Sequence, residues 1–327
     1  MRPRLTVDLY IEGILARNRS ILSQAITLIE SRLPTDRALA QRVLEGVLPY
    51  TGHSFRIGIT GVPGVGKSTF IEAFGQHITS LGKTVAVLTV DPSSQRSGGS
   101  ILGDKTRMET LSHNPLAYIR PSAAGGSLGG VAYRTREAML LCEAAGFEVL
   151  LIETVGVGQS ETLVHEMTDF FLLLMLAGAG DELQGIKKGI MEMADAIAIT
   201  KADGPNRSVA ERAVNEYQNA LHLFPVAESG WTTRVVTCSA LEKEGIENVW
   251  ETMQRYESFT RQNGFFTKNR QNQNLDWLKS HIRQALEERF LNHPEIRAQW
   301  LAAERSVQAG EELPLSAAER LLNLFFT

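Results

Sequence analysis

The chain has 327 residues, 43% hydrophobic and 21% charged, enough apolar material for a substantial core in about two domains. Its formal net charge is −4 with both signs interspersed, which argues against a general nucleic-acid surface. Cys142 and Cys238 are too few and too isolated for a disulfide framework or a zinc motif, so a reducing cytoplasm is the expected compartment.

The N-terminal residues mix charges with apolar side chains and lack the apolar core of a signal peptide. Leu9 to Tyr50 reads as helical. Ile14, Leu15, Ile21, Leu22, Ile26, Leu28 and Ile29 recur at mixed three- and four-residue intervals. Leu33-Pro34-Thr35-Asp36 interrupts the run and is expected to start a second helix with Thr35 as its cap. Residues 1–50 are therefore read as an N-terminal helical extension.

From Phe55 to Ser239, short β-rich runs alternate with longer amphipathic stretches. The runs are Phe55–Thr60, Thr84–Val90, Tyr118–Ile119, Val149–Glu153, Phe170–Leu176, Ala196–Thr200 and Val235–Cys238. Several are apolar without alternation, as expected of strands covered on both faces. The predicted fold is α/β, with a mainly parallel central sheet flanked by helices over residues 51–245. The longest apolar stretch, Phe170 to Ala179, is too short to span a bilayer, and no membrane association is expected.

Directly after the first run comes Gly61-Val62-Pro63-Gly64-Val65-Gly66-Lys67-Ser68-Thr69, the pattern G-x-x-x-x-G-K-[ST] between a strand and an incipient helix. Such a loop curls main-chain N–H groups around a phosphate chain, and the following helix offers its unpaired N–H groups to the same anion. Lys67 is expected to reach the β/γ oxygens and Ser68 to supply a hydroxyl to Mg²⁺.

Four further segments end strands or fill the long loops after them, where ligands of open α/β sheets bind. Asp91-Pro92-Ser93-Ser94 leads into a polar, glycine-rich stretch ending at Met108. Asp91 and Asp104 in it are candidates to hold the waters of Mg²⁺ or to orient an attacking water. Glu153-Thr154-Val155-Gly156-Val157-Gly158-Gln159-Ser160-Glu161 places Glu153 in the Walker-B role. Most GTPase domains have Asp there, so direct and water-mediated metal contact both stay open, and Gln159 is a candidate to position water. Gly178 to Gly189 combines Asp181, Glu182, Lys187, Lys188 and several glycines. It is either an ordinary solvated loop or a switch that senses the γ-phosphate. Thr200-Lys201-Ala202-Asp203 matches the guanine-reading Asn-Lys-x-Asp except for its first residue. Asp203 would accept from guanine N1 and the exocyclic amine, with the Lys201 stem over the base. Ser239-Ala240-Leu241 fits the companion base-contacting loop.

After Gly245 the pattern turns helical again, over Ile246 to Phe259, Leu275 to Leu291, and a final pair, Leu301 to Ala309 and Ser316 to Phe326. Residues 246–327 are read as a helical arm that packs on the nucleotide domain or on a second subunit.

The segments Gly61–Thr69, Asp91–Met108, Glu153–Glu161, Gly178–Asp195 and Thr200–Gly204 together resemble the MeaB/ArgK group of P-loop GTPases, relatives of the metal-delivery GTPases. The resemblance is dense from about Ser54 to Asp203 and looser over both helical ends. It implies hydrolysis of GTP to GDP and phosphate, coupled to loading, protecting or repairing the cofactor of adenosylcobalamin-dependent methylmalonyl-CoA mutase. It also implies a homodimer built partly through the C-terminal arm. Within it, Gly178–Lys188 matches an extra switch, with Lys188 as a lysine facing the nucleotide. Three competitors remain: a kinase using the same P-loop, for which no acceptor pocket is visible; a nickel-delivery GTPase, for which no Cys/His ligand spacing is visible; and a GTP-gated scaffold that barely hydrolyses.

Overall fold

In a computed structural model of the chain, the structure describes residues 4–31, 33–90, 108–121, 128–154, 160–177 and 188–326. Two compact units emerge, Met1–Asn269 and Arg270–Thr327.

Among the described residues the first unit is built on seven strands: β1 (Phe55–Gly61), β2 (Val85–Val90), β3 (Ala117–Arg120), β4 (Val149–Thr154), β5 (Phe170–Leu176), β6 (Ala196–Thr200) and β7 (Arg234–Thr237). They pair in the order β3-β2-β4-β1-β5-β6-β7, and every pair is parallel. Alternate side chains of the buried runs reach opposite faces, and both faces are covered. On one face Phe55, Ile57, Ile59, Phe170 and Leu172 meet Phe70, Phe74 and Ile78 of α4 (Lys67–Ser80). On the other, Leu150, Ile152 and Phe171 meet the N-terminal helices and α6 (Leu128–Ala144). Toward β7, Leu173, Met175, Ile197 and Ile199 pack on α8 (Lys188–Met193) and α9 (Arg207–Leu221). Two smaller helices complete the described layers, α5 (Glu109–His113) and α7 (Ser160–His165).

The N-terminal extension holds three helices, α1 (Val7–Leu15), α2 (Arg19–Ile29) and α3 (Pro34–Val47), rather than two. The unforeseen break lies at Arg17, whose φ is 58°, and at Asn18, whose side chain caps α2 by accepting from Ser20 N and Ile21 N. Thr35 is not the cap of α3. Pro34 opens that helix, because its missing N–H is no loss at the first position, and Leu33 stands before it without a side-chain cap bond.

The amino ends of the strands are fastened by a repeated device. Glu148, Asp169 and Asp195 each precede a strand, and each bonds at least twice to one residue at the start of the strand beside it. Glu148 accepts from Thr84 N at 3.1 Å and donates its own N–H to Thr84 O. Asp169 does the same with Arg56, at 2.8 Å, and Asp195 with Phe171, at 2.8 Å. The Arg56 side chain then forms a two-pronged pair with Glu143 at 2.8 and 3.0 Å, and Glu143 also accepts from Gly52 N at 2.9 Å.

The helical region begins with α10 (Ile246–Gln262), whose Ile246, Val249, Trp250 and Met253 are buried in the core formed by β1, β5 and α4. It therefore packs with the sheet, inside the first compact unit, which runs to Asn269. The second unit contains the remainder of α11 (Phe265–Asn292), α12 (Pro294–Gln308) and α13 (Pro314–Phe326). Its core is small: Ile296, Ala303, Ala317 and Leu321, bordered by Phe290, Trp300 and Phe325.

Candidate functional site

The site lies where β1, β4 and β6 end. After β1 the chain turns through Gly64 and Gly66, with φ of 82° and 93°, a conformation that side-chain-bearing residues rarely adopt. A Cβ on Gly61 would meet Leu174 O at 2.5 Å, so the turn also needs glycine for close approach to β5. Gly66 heads α4 with no side chain capping its first N–H groups, which leaves those donors available to an anion.

Lys67 donates from Nζ to Gly61 O at 2.7 Å and lies 3.4 Å from Val62 O, drawing the loop around its own ammonium. Burial pulls its pKa below the ordinary lysine value, and the carboxylates of Glu153 and Glu161 oppose that shift. Glu153, at the end of β4, is 7% exposed and accepts from Ser68 Oγ at 3.3 Å. Two of the four residues expected to serve a metal, Ser68 and Glu153, thus come together beside Lys67. They offer a hydroxyl and a carboxylate, the hard oxygen donors that Mg²⁺ prefers. Beneath them Thr154 Oγ1 donates to Thr60 Oγ1 at 2.9 Å, joining the ends of β4 and β1 out of reach of solvent.

The loops that follow β6 and β7 close on the same turn. Thr200 Oγ1 is 2.8 Å from Val65 O and 3.2 Å from Met175 O, so the residue that departs from the Asn-Lys-x-Asp pattern ties the P-loop to β5. Lys201, at φ 56°, donates to Gly64 O at 2.9 Å. Asp203 accepts from Ser239 Oγ at 2.5 Å, and the Ser239 oxygen accepts from Glu242 N at 3.1 Å. Ala202 N donates to Cys238 O, and Ser239 N to Glu244 O. Two loops from neighbouring strands are therefore cross-braced around one carboxylate. Ala240 is half-buried beside them and Leu241 is exposed.

Pro63 and Thr69 lie exposed on either side of the turn. Asp91, Asp104, Gln159 and residues 178–187 lie outside the described residues. Lys188 opens α8, and its side chain is likewise outside them.

The family described as methylmalonyl-CoA mutase-associated GTPase MeaB matches residues 22–295. The chain belongs to this MeaB family. It is 50% identical over 275 residues to GTPase ArgK of Escherichia coli, covering 84% of this chain and 82% of that protein. It is 45% identical over 329 residues to the mitochondrial methylmalonic aciduria type A homolog of Mus musculus, covering 98% and 79%. A solved structure described as an LAO/AO transport system kinase matches with a TM-score of 0.78 and 36% identity over 100% of both chains. This MeaB-family chain is a P-loop GTPase that hydrolyses GTP.

Two contributors to the site went unassigned in the sequence. Thr200 reads as a mere substitution in a motif, yet it anchors the P-loop. Glu161 is 6% exposed in the first turn of α7, and its charge acts on Lys67. Its eight-residue distance from Glu153 gives no sign that both carboxylates act on Lys67.

Proposed function

We propose that this MeaB-family GTPase is a Mg²⁺-dependent switch that serves adenosylcobalamin-dependent methylmalonyl-CoA mutase in loading, protecting or repairing its cofactor. The observation that carries the nucleotide half of this reading is the pairing of Ser68 with Glu153 at 3.3 Å beside the Lys67 ammonium. The mutase half is supported by the family's description and by the mouse relative's name.

In this reading the N–H groups of Gly61–Thr69 hold the β- and γ-phosphates, and Lys67 adds a localised positive charge. Ser68 and Glu153 hold Mg²⁺, with Asp91 and Asp104 as the further oxygen donors. Bound Mg²⁺ neutralises charge on the phosphate oxygens. Asp203 accepts from the guanine edge while Lys201 covers the base and the Ser239–Leu241 loop closes its other side. An adenine would leave Asp203 unpaired, which penalises it. Lys188 reports the γ-phosphate from the head of α8.

The protein acts as a cytoplasmic homodimer. Support comes from α11, where Leu275, Leu278, Ile282 and Leu286 recur at intervals of three, four and four residues and are 49–56% exposed. No helix among the described residues is long and apolar enough to cross a membrane. Sedimentation of the Leu278→Glu/Ile282→Glu variant checks the dimer: a monomer supports it, and an unchanged dimer opposes it.

The test of the whole reading uses immobilised protein loaded with GDP or a slowly hydrolysed GTP analogue and offered purified mutase. Retention that depends on the nucleotide, with hydrolysis accelerated by the mutase, is expected. Equal retention in both states and unchanged hydrolysis would contradict it. The likeness to a structure described as a kinase favours one second reading, transfer of the γ-phosphate to an acceptor. Radiolabel recovered in an acceptor instead of free phosphate would support that reading.

A further inference from the structure

The outer flank of α4 carries a chain of polar contacts that the nucleotide site does not use. It starts in the loop that braces Asp203. Lys243, held at φ 58°, donates from Nζ to Gln76 Oε1 at 3.0 Å. Gln76 Nε2 donates to Glu72 Oε1 at 2.6 Å, one helical turn earlier. Glu72 in turn accepts the main-chain N–H of Leu111, with its two oxygens at 3.0 and 3.3 Å. Leu111 belongs to α5, where the chain re-enters the described fold after the polar stretch 91–107 and leads into β3.

The end of this chain is mechanically firm. Leu111 is fully buried, and a Cβ on Gly75 would meet its Cδ2 at 2.5 Å, so α5 sits directly on the backbone of α4. Asn114 Nδ2 donates to Thr79 Oγ1 at 2.9 Å and fixes the next turn. Displacing α5 along α4 would cost both this packing and the two-oxygen contact to Glu72. The same helix presents Lys67 and Ser68 at its head. One rigid element therefore touches the phosphate loop at one end, the base-reading loop through Gln76, and α5 through Glu72.

We propose that Glu72 and Gln76 are positioning residues for GTP turnover, which hold the base-reading loop and α5 in register across the flank of α4. The inference rests on the nucleotide site described above and adds to it two residues that touch neither phosphate nor base. A bond to a free main-chain N–H is needed from residue 72, not a negative charge. Glutamine there keeps an acceptor and alanine does not. Lys243 and Gln76 act on the same contact, so their removal should not add.

The experiment measures GTP turnover and the affinities for fluorescent GDP and a GTP analogue in the full-length protein. Glu72→Ala is expected to lower kcat by about three- to tenfold and to shift the GTP-over-GDP affinity ratio by a similar factor, with KM changed less. Glu72→Gln should restore most of both. Gln76→Ala and Lys243→Met should each shift the ratio by about two- to threefold, and the double variant by no more than the larger single effect. A folded Glu72→Ala with wild-type kcat and ratio would overturn the proposal. So would equal losses in Glu72→Gln and Glu72→Ala, or full additivity of Gln76→Ala with Lys243→Met. The last pair removes partly exposed groups and decides the matter even if Glu72→Ala does not fold. Failure of the wild-type protein to bind either nucleotide would instead strike the site itself.

Discussion

Where β4, β5 and β6 begin, Glu148, Asp169 and Asp195 each close a hydrogen-bonded ring to the adjoining strand, and Arg56 locks onto buried Glu143. Where β1, β4 and β6 end, the same sheet gives way to Gly64, Gly66, Lys67, Ser68, Glu153 and Lys201, where Lys67 and Lys201 donate to main-chain carbonyls and Ser68 bonds Glu153. The amino rim satisfies its polar groups within the fold. The carboxyl rim leaves the first N–H groups of α4 without a side-chain cap and gathers the Lys67 ammonium and the Glu153 carboxylate beside them. A parallel sheet can thus concentrate rigidity at one edge and ligand chemistry at the other. Substitutions at the two rims should fail in different ways.

The largest effect is expected at the closed rim. Arg56→Met strands the Glu143 carboxylate, whose side chain has no solvent exposure, and should cost about 3–5 kcal/mol of stability. Denaturant melts check the loss. Nucleotide affinity of the fraction that stays folded should be near normal, and a selective loss of GTP binding would blur the contrast between rims. Lys67→Ala is the mirror case. It should reduce GTP turnover by on the order of 10²–10³-fold, with little change in melting temperature. Wild-type-like turnover would remove Lys67 from the site.

The smallest effect is a slope. Burial pushes the Asp195 carboxyl up to about 7, against hydrogen bonds from Phe171 N and Tyr256 that favour its charged form. The folded protein then holds this proton over a range where the unfolded chain has released it. Stability contributed here is present below about pH 4 and is lost as pH rises toward 7. The slope is at most about 1.4 kcal/mol per pH unit. Asp195→Asn should flatten that part of the stability profile measured from pH 4 to 7. An unchanged slope would mean that another group carries it.

Much of the fold was legible because fully covered parallel strands are written as unbroken apolar runs. Phe170–Leu176 and Ala196–Thr200 match β5 and β6 at both ends. The P-loop was legible because its glycines, lysine and serine are contiguous. The amino-rim clamps were not. An acid before a strand looks like any turn residue, and its partner depends on the sheet order β2-β4-β1-β5-β6, which no local pattern encodes. The break at Arg17–Asn18 was hidden because apolar periodicity continues across it, although Asn18 is a capping residue that could have signalled it. Thr200 and Glu161 escaped notice for the same reason as the clamps: Val65, which Thr200 bonds, and Lys67, on which the Glu161 charge acts, are distant in sequence.

The central claim is that the carboxyl rim binds a guanine nucleotide, with Asp203 choosing the base. Calorimetric titration of GTP and ATP, each with Mg²⁺, into the wild-type protein and Asp203→Ala tests it most directly. GTP should bind on the order of 10²-fold or more tightly than ATP to the wild type, and the variant should lose most of that preference. Equal affinities for the two nucleotides in the wild type, or a preference untouched by Asp203→Ala, would contradict it.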